Sequence, residues 1–128
     1  DNPKVVLACD GVRGPNGKDA DIGPKTVTLF TEYIKNAQTI FWSGSLGMTE
    51  ETEFSHGSEA IARMCAASHA TTIIGGGDTT GFIDSLGIAE KMTYISTGGS
   101  ASLKFLAGET LPGLEVLKKI VKINLISN

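Results

Sequence analysis

The chain is 128 residues long, 41% hydrophobic and 20% charged, with a net charge of −3, a size and make-up that suit one domain around a single hydrophobic core. The acidic balance argues against nucleic acid or an anionic membrane as partner, since both favour a basic patch, and no apolar run approaches the roughly 20 residues of a membrane span. The 16 glycines cluster instead of repeating, which points to specific turns and close backbone approaches.

The first residues, DNPKVVLACD, carry no basic-then-apolar leader, so a start in mid-domain and a cytoplasmic location are expected. KVVLAC (4–9) is β-branched and apolar and reads as a buried strand. DGVRGPNGKDADIGP is dense in Gly, Asp and Pro and reads as a loop. Pro24 suits a first helical position, where its missing N–H is no loss. Val27, Phe30, Ile34 and Ala37 then recur at helical spacing, predicting a helix over 24–37. TIFW (39–42) is a second strand, followed by the loop SGSLGMTEETEFSHG. Phe54, Ser58, Ile61 and Cys65 mark one face of a helix over 54–67. ATTIIG (70–75) is a third strand leading through glycines to a short helix near 79–86, and MTYIS (92–96) is a fourth. TGGSASLKFLAG again opens a helix, with Gly108 as its C-cap. Leu114, Leu117 and Val121 suggest a last helix whose solvated face is the basic run LKKIVK. Cys9 and Cys65 lie in apolar segments without metal-like spacing and read as buried thiols in a reducing compartment.

Strand–helix alternation predicts an α/β fold, a Rossmann-like three-layer α/β/α arrangement on a parallel sheet. Ligands of such sheets sit beyond the carboxyl ends of the strands, and three Gly-rich loops fall there, after Trp42, Ile74 and Ser96. In GGGDTT, Gly75, Gly76 and Gly77 let backbone amides approach an anion at a helix N-terminus. No Lys-Ser or Lys-Thr follows, so this is not a Walker A loop, and Thr80 stands where the dinucleotide fingerprint needs a third glycine. Asp78 would repel bare phosphate. A divalent cation resolves the conflict, because Mg²⁺ is commonly held by one or two carboxylates plus substrate phosphates; Thr79 can add a hydroxyl to a phosphate oxygen. The plainer alternative is that Asp78 caps the helix.

In STGGSASL, Gly98 and Gly99 would free amides able to stabilise a phosphoryl group in flight; the alternative is a tight turn with Ser100 or Ser102 near the cap. In WSGSLGMTE, Glu50 can hydrogen-bond ribose hydroxyls, or be a surface acid favoured by the dipole of the next helix. His56 and His69 have no neighbouring ligand types at metal spacing and read as surface or interface residues, and no Ser/His/Asp nucleophile set is evident.

DIGPKT, GGGDT, STGG with ASL one residue later, and LPG stand in the order and spacing of the C-terminal part of phosphoglycerate kinase, which the chain resembles from about residue 10 to about 118. The resemblance implies one partial nucleotide-binding domain over 1–128, belonging to a two-domain glycolytic phosphotransferase with a carboxyl acceptor. The family moves a phosphoryl group between 1,3-bisphosphoglycerate and ADP, with Mg-ADP or Mg-ATP bound on the parallel sheet. By position, Asp78 would serve the metal–nucleotide complex, Thr79 the phosphates and Glu50 the ribose. Gly76 and Gly77 would shape the loop, Ser43 would lie near the phosphates, and Gly98 and Gly99 would meet the transferring phosphoryl.

The departures gather around the nucleotide. The family reads WNGPxGVFE where this chain has WSGSLGMTE, so Ser43 replaces Asn, Ser45 Pro, Met48 Val and Thr49 Phe. Asp19 and Ala20 replace a Gly-Leu pair, and Ser100 the third Gly of STGGG. The family's phosphoglycerate-binding basic patch and its lysine-bearing glycine loop have no counterpart in these residues, and the sheet is expected to lack neighbouring strands. In-line transfer needs both substrates positioned, so the missing N-terminal domain or a complementing chain is the expected partner alongside ADP or ATP. Two alternatives are a non-catalytic binding or structural protein of the same fold in a larger assembly, and a different nucleotide-dependent kinase.

Overall fold

A computed structural model describes residues 5–96 and 120–123. An antiparallel hairpin of β1 (Gly11–Arg13) and β2 (Asp19–Ile22) leads into α1 (Pro24–Asn36), β3 (Thr39–Ser43), a 3₁₀ turn (Thr52–Phe54), α2 (His56–Ala67), β4 (Thr71–Gly75), α3 (Gly77–Ser85), a second 3₁₀ turn (Ala89–Lys91), β5 (Tyr94–Ser96) and β6 (Ile120–Ile123). The main sheet runs β5-β4-β3-β6, with every described neighbour parallel. It is a Rossmann-like α/β fold, as the strand–helix alternation predicts.

The sequence of β3, TIFWS, explains its central place. Ile40, Phe41 and Trp42 are successive large side chains, each at most 1% exposed, so both faces of the sheet are covered here, the pattern of a buried parallel strand. One contiguous core joins Ile40, Trp42 and Ile74 of the sheet to Ile34 of α1, Ile61, Ala62 and Cys65 of α2, and Ile83 of α3. Burying each such aliphatic side chain contributes about 1.5–3 kcal/mol. The predicted helix faces hold: Ile34 is in the core and Val27, Phe30 and Ala37 pack against that core, and Ser58, Ile61 and Cys65 turn inward from α2.

Helix α1 begins where Pro24 predicts, yet Gly23 at its N-cap has no side chain to offer. Asp10 caps it from outside. The Lys25 and Thr26 amides donate to its carboxylate at 3.0 and 2.7 Å, and the Thr26 hydroxyl at 2.6 Å.

Several expectations are corrected. Residues 5–10 form no strand, and Val5 and Leu7 are 58% and 76% exposed; among the described residues no strand pairs with this segment, and a strand-forming sequence without a partner does not become one. Cys9 is accordingly exposed, and only Cys65 is a buried thiol, its pKa pushed up to about 12 by burial. The presumed loop 10–24 contains the β1–β2 hairpin, closed around Gly17 at φ +75°. Helix α3 starts at Gly77, earlier than expected. Val121 lies in β6, paired with Ile40, so Ile120–Lys122 of the basic run belong to a strand and not to a helix face. Gly98, Gly99, Ser100, Ser102, Gly108, Leu114 and Leu117 lie outside the described residues.

Candidate functional site

The β4–α3 junction turns on a glycine with positive φ. Gly76 adopts φ +94°, ψ 142°, a conformation that L side chains rarely take. The turn brings its backbone close to Ser43: a Cβ on Gly76 would lie 3.5 Å from the Ser43 Oγ. Gly77, exposed with open space beside it, begins α3, so the first amides of the helix face outward without intrahelical partners. Asp78 stands in this first turn and is exposed. Among the described residues its carboxylate neither caps the helix nor pairs with a cation, which sets aside the plain capping role; the helix dipole favours its charge. Thr79 faces inward, 2% exposed, and its Oγ1 accepts the Gly44 N–H at 2.8 Å. That bond ties the end of β3 to α3, and the Trp42 Nε1 donates to the Gly44 carbonyl at 2.6 Å from the other side.

The loop after β3 carries Glu50 and is held by its backbone. The Leu46 amide donates to the Ser58 Oγ at 3.1 Å, reaching α2. The Met48 amide donates to the Ala20 carbonyl at 2.9 Å, reaching β2. Glu50 is thereby presented to a cleft of about 490 Å³ whose lining includes Ser45, Thr49, Asp78 and Phe82. A larger recess of about 820 Å³ shares Ser45, Glu50 and Asp78 and extends beneath the hairpin past Met48, Ala20, Lys18 and Arg13. Glu50 and Asp78, 28 positions apart in sequence (78 − 50), therefore meet at one concavity at the carboxyl ends of β3 and β4. Ser43, Gly76, Gly77 and Thr79 do not line it; Ser43 lies at the end of β3 and the other three in the β4–α3 turn that carries Asp78. His56 and His69 are exposed and outside it.

One residue that sequence reasoning passed over is Asp21, only 5% exposed. Its Oδ2 accepts the Gly57 amide in the first turn of α2 at 2.8 Å, and its Oδ1 accepts the Ile22 amide at 2.8 Å. Burial pushes its carboxyl above the ordinary value, and the Gly57 and Ile22 amides with the nearby His56 offset only part of that. The available signal was an acid between Ala20 and Ile22 in a strand-length segment, a position that demands local donors if it is buried.

Among the described residues no three His, Cys, Asp or Glu side chains cluster to hold a metal. The donor set instead fits an ion that arrives with its own ligands: one carboxylate, Asp78, without a partner among the described residues, beside the first amides of a helix, suits Mg²⁺ already bound to phosphate oxygens.

Comparison with known proteins agrees with this architecture. The family profile described as "Phosphoglycerate kinase" matches residues 2–109. The phosphoglycerate kinase of Solibacter usitatus is 47% identical over 106 residues, which are 82% of this chain and 27% of that protein. That of Clostridium botulinum (strain Eklund 17B / Type B) is 52% identical over 97 residues, 76% of this chain and 24% of that protein. Among solved structures, phosphoglycerate kinase from Coxiella burnetii superposes with a TM-score of 0.67 at 40% identity, covering 71% of this chain and 24% of its own. The Pyrococcus horikoshii enzyme does so with a TM-score of 0.64 at 38% identity, covering 79% and 25%. The chain thus spans about a quarter of the length of the relatives it matches. With sequence, sheet and glycine-rich turn all pointing the same way, the chain belongs to the phosphoglycerate kinase family.

Proposed function

We propose that this chain supplies the nucleotide-phosphate half of a phosphoglycerate kinase active site, as a single partial domain from the C-terminal part of the fold. It binds Mg-ADP or Mg-ATP for phosphoryl transfer between 1,3-bisphosphoglycerate and ADP, the glycolytic reaction of the cytoplasm, with the rest of the enzyme or a complementing chain providing the phosphoglycerate side. Asp78 meets the magnesium that the phosphates carry, which supplies charge neutralisation at the transferring group. The amides at Gly76 and Gly77 receive phosphate oxygens. Thr79 fixes Gly44 through its oxygen and retains its own hydroxyl proton for a phosphate. Ser43 lies beside them, Glu50 takes the ribose hydroxyls, and Gly98 and Gly99 offer amides to the phosphoryl in flight.

The observation that carries this reading is the meeting of Glu50 and Asp78 on one cleft beside a helix start opened by a left-handed glycine. A carboxylate in a phosphate-type turn, the puzzle of GGGDTT, is then explained by the cation.

Isothermal titration of the chain with ADP, with and without Mg²⁺, tests it. Binding is expected to require Mg²⁺ and to weaken about tenfold or more in Asp78→Ala, the loss of one charge-assisted contact. Equal affinity without Mg²⁺, or an unchanged affinity in the variant, would overturn it.

A further inference from the structure

Asp21 is a buried carboxylate for which the proposed chemistry has no use, and it sits where three elements join. Its Oδ2 holds the start of α2 through Gly57, and its own strand, β2, holds the Glu50 loop through the Ala20 carbonyl and the Met48 amide. The fit between them leaves no spare room. A Cβ on Gly47 would stand 2.5 Å from Asp21 Oδ1 and collide with the Phe54 carbonyl, and a Cβ on Gly57 would stand 2.6 Å from the same oxygen and collide with Ile22. Two glycines from different elements therefore close on one carboxylate oxygen. One residue before Gly47, the same loop is anchored on α2 through the Leu46 amide and the Ser58 Oγ. Glu50 follows Gly47 by three positions (50 − 47) and has no described hydrogen bond of its own to set its place.

We propose that Asp21 is a positioning residue: it locks the 44–51 loop between β2 and α2, and so sets how Glu50 meets the ribose of a nucleoside diphosphate. The ribose clause rests on the function proposed above; the locking of the loop does not. Asp21 accepts one amide on each oxygen. An amide side chain offers only one such oxygen and turns an N–H₂ group towards the second donor, so Asp21→Asn unlocks one side of the junction while keeping size and shape.

The test has two readouts. In the nucleotide-free chain, amide hydrogen exchange at Met48 and Gly57 is expected to speed up about tenfold in Asp21→Asn, while exchange at Ile74 in β4 is unchanged. With nucleotide, wild type is expected to prefer Mg-ADP over Mg-2′-deoxy-ADP by about tenfold. That ratio should collapse towards one in Asp21→Asn, and Glu50→Gln added on top should change it no further. Gly47→Ala, which pushes the loop away with Asp21 intact, is expected to do the same and serves if Asp21→Asn does not fold. Unaltered exchange at Met48 and Gly57 overturns the locking role. An intact ADP to 2′-deoxy-ADP ratio in a variant with faster exchange overturns the ribose clause, and a wild-type chain that binds neither nucleotide overturns that clause together with the proposed function while the exchange result still decides the lock.

Discussion

Gly76 holds a backbone geometry that L side chains rarely adopt, φ +94° with ψ 142°. The space around it is ordinary, since a Cβ there would meet the Ser43 Oγ at 3.5 Å; what forbids a side chain is the conformation. Gly76→Ala is therefore expected to cost about 1–3 kcal/mol of stability, read as a lower urea midpoint. Gly77→Ala, one residue on, enters a helix position with open space and is expected not to destabilise, because alanine is the better helix former. If both substitutions have the same effect, the turn is not held as described. The neighbouring Thr79 illustrates how residue type and role part company. Its spacing from the glycines suggests a phosphate hydroxyl, and the fold also uses its oxygen to brace Gly44.

At the scale of elements, α1 and α2 both begin with help from acids far away in sequence. Asp10 reaches α1 and Asp21 reaches α2, while the N-caps Gly23 and Ser55 make no side-chain capping bond. The two carboxyls respond oppositely. Partial desolvation works to raise the Asp10 carboxyl, but the Thr26 hydroxyl, the Lys25 and Thr26 amides and the Lys25 charge outweigh it and hold it below its ordinary 3.8. A depressed value in the folded state means that the contribution is complete above 3.8 and fades as pH falls through the folded value. The stability difference between wild type and Asp10→Asn is thus expected to be larger at about pH 7 than at about pH 2. Urea unfolding at the two pH values checks this, and a difference independent of pH contradicts it.

These long-range caps also mark where the sequence stops being readable. Periodicity sufficed for α1, α2, β3 and β4, because Val27, Phe30 and Ile34, or Ile61 and Cys65, state their buried face locally. It failed for residues 5–10 and for Ile120–Ile123, where strand formation depends on whether a neighbour is present: among the described residues the first segment pairs with none and the second finds β3. For the site, Asp78 and Glu50 were legible as residue types in glycine-rich turns, and the rule that ligands gather at the carboxyl ends of parallel strands brought them together. Asp21 was not read, since its partner Gly57 is 36 positions away and its flanking Ala20 and Ile22 hint at burial without naming the donor that burial would need.

For the whole molecule, the family match ends at residue 109, yet β6 at Ile120–Ile123 pairs in parallel with β3. A strand from outside the matched region thereby covers one side of the strand that leads to the site, and a parallel strand left open there would present unpaired amides and carbonyls. The chain nonetheless represents about a quarter of its relatives' length, which is why catalysis is assigned to a larger whole and only the nucleotide half to these residues. Nucleotide is expected to bind at the carboxyl ends of β3 and β4. The most direct test is to titrate the isotopically labelled chain with Mg-ADP and follow its backbone amide resonances. The predicted result is that shifts concentrate at Gly76, Gly77 and Asp78 and in the loop around Glu50, while amides of α1 stay put. Shifts that centre elsewhere on the chain, or none in a folded sample saturated with Mg-ADP, would contradict it.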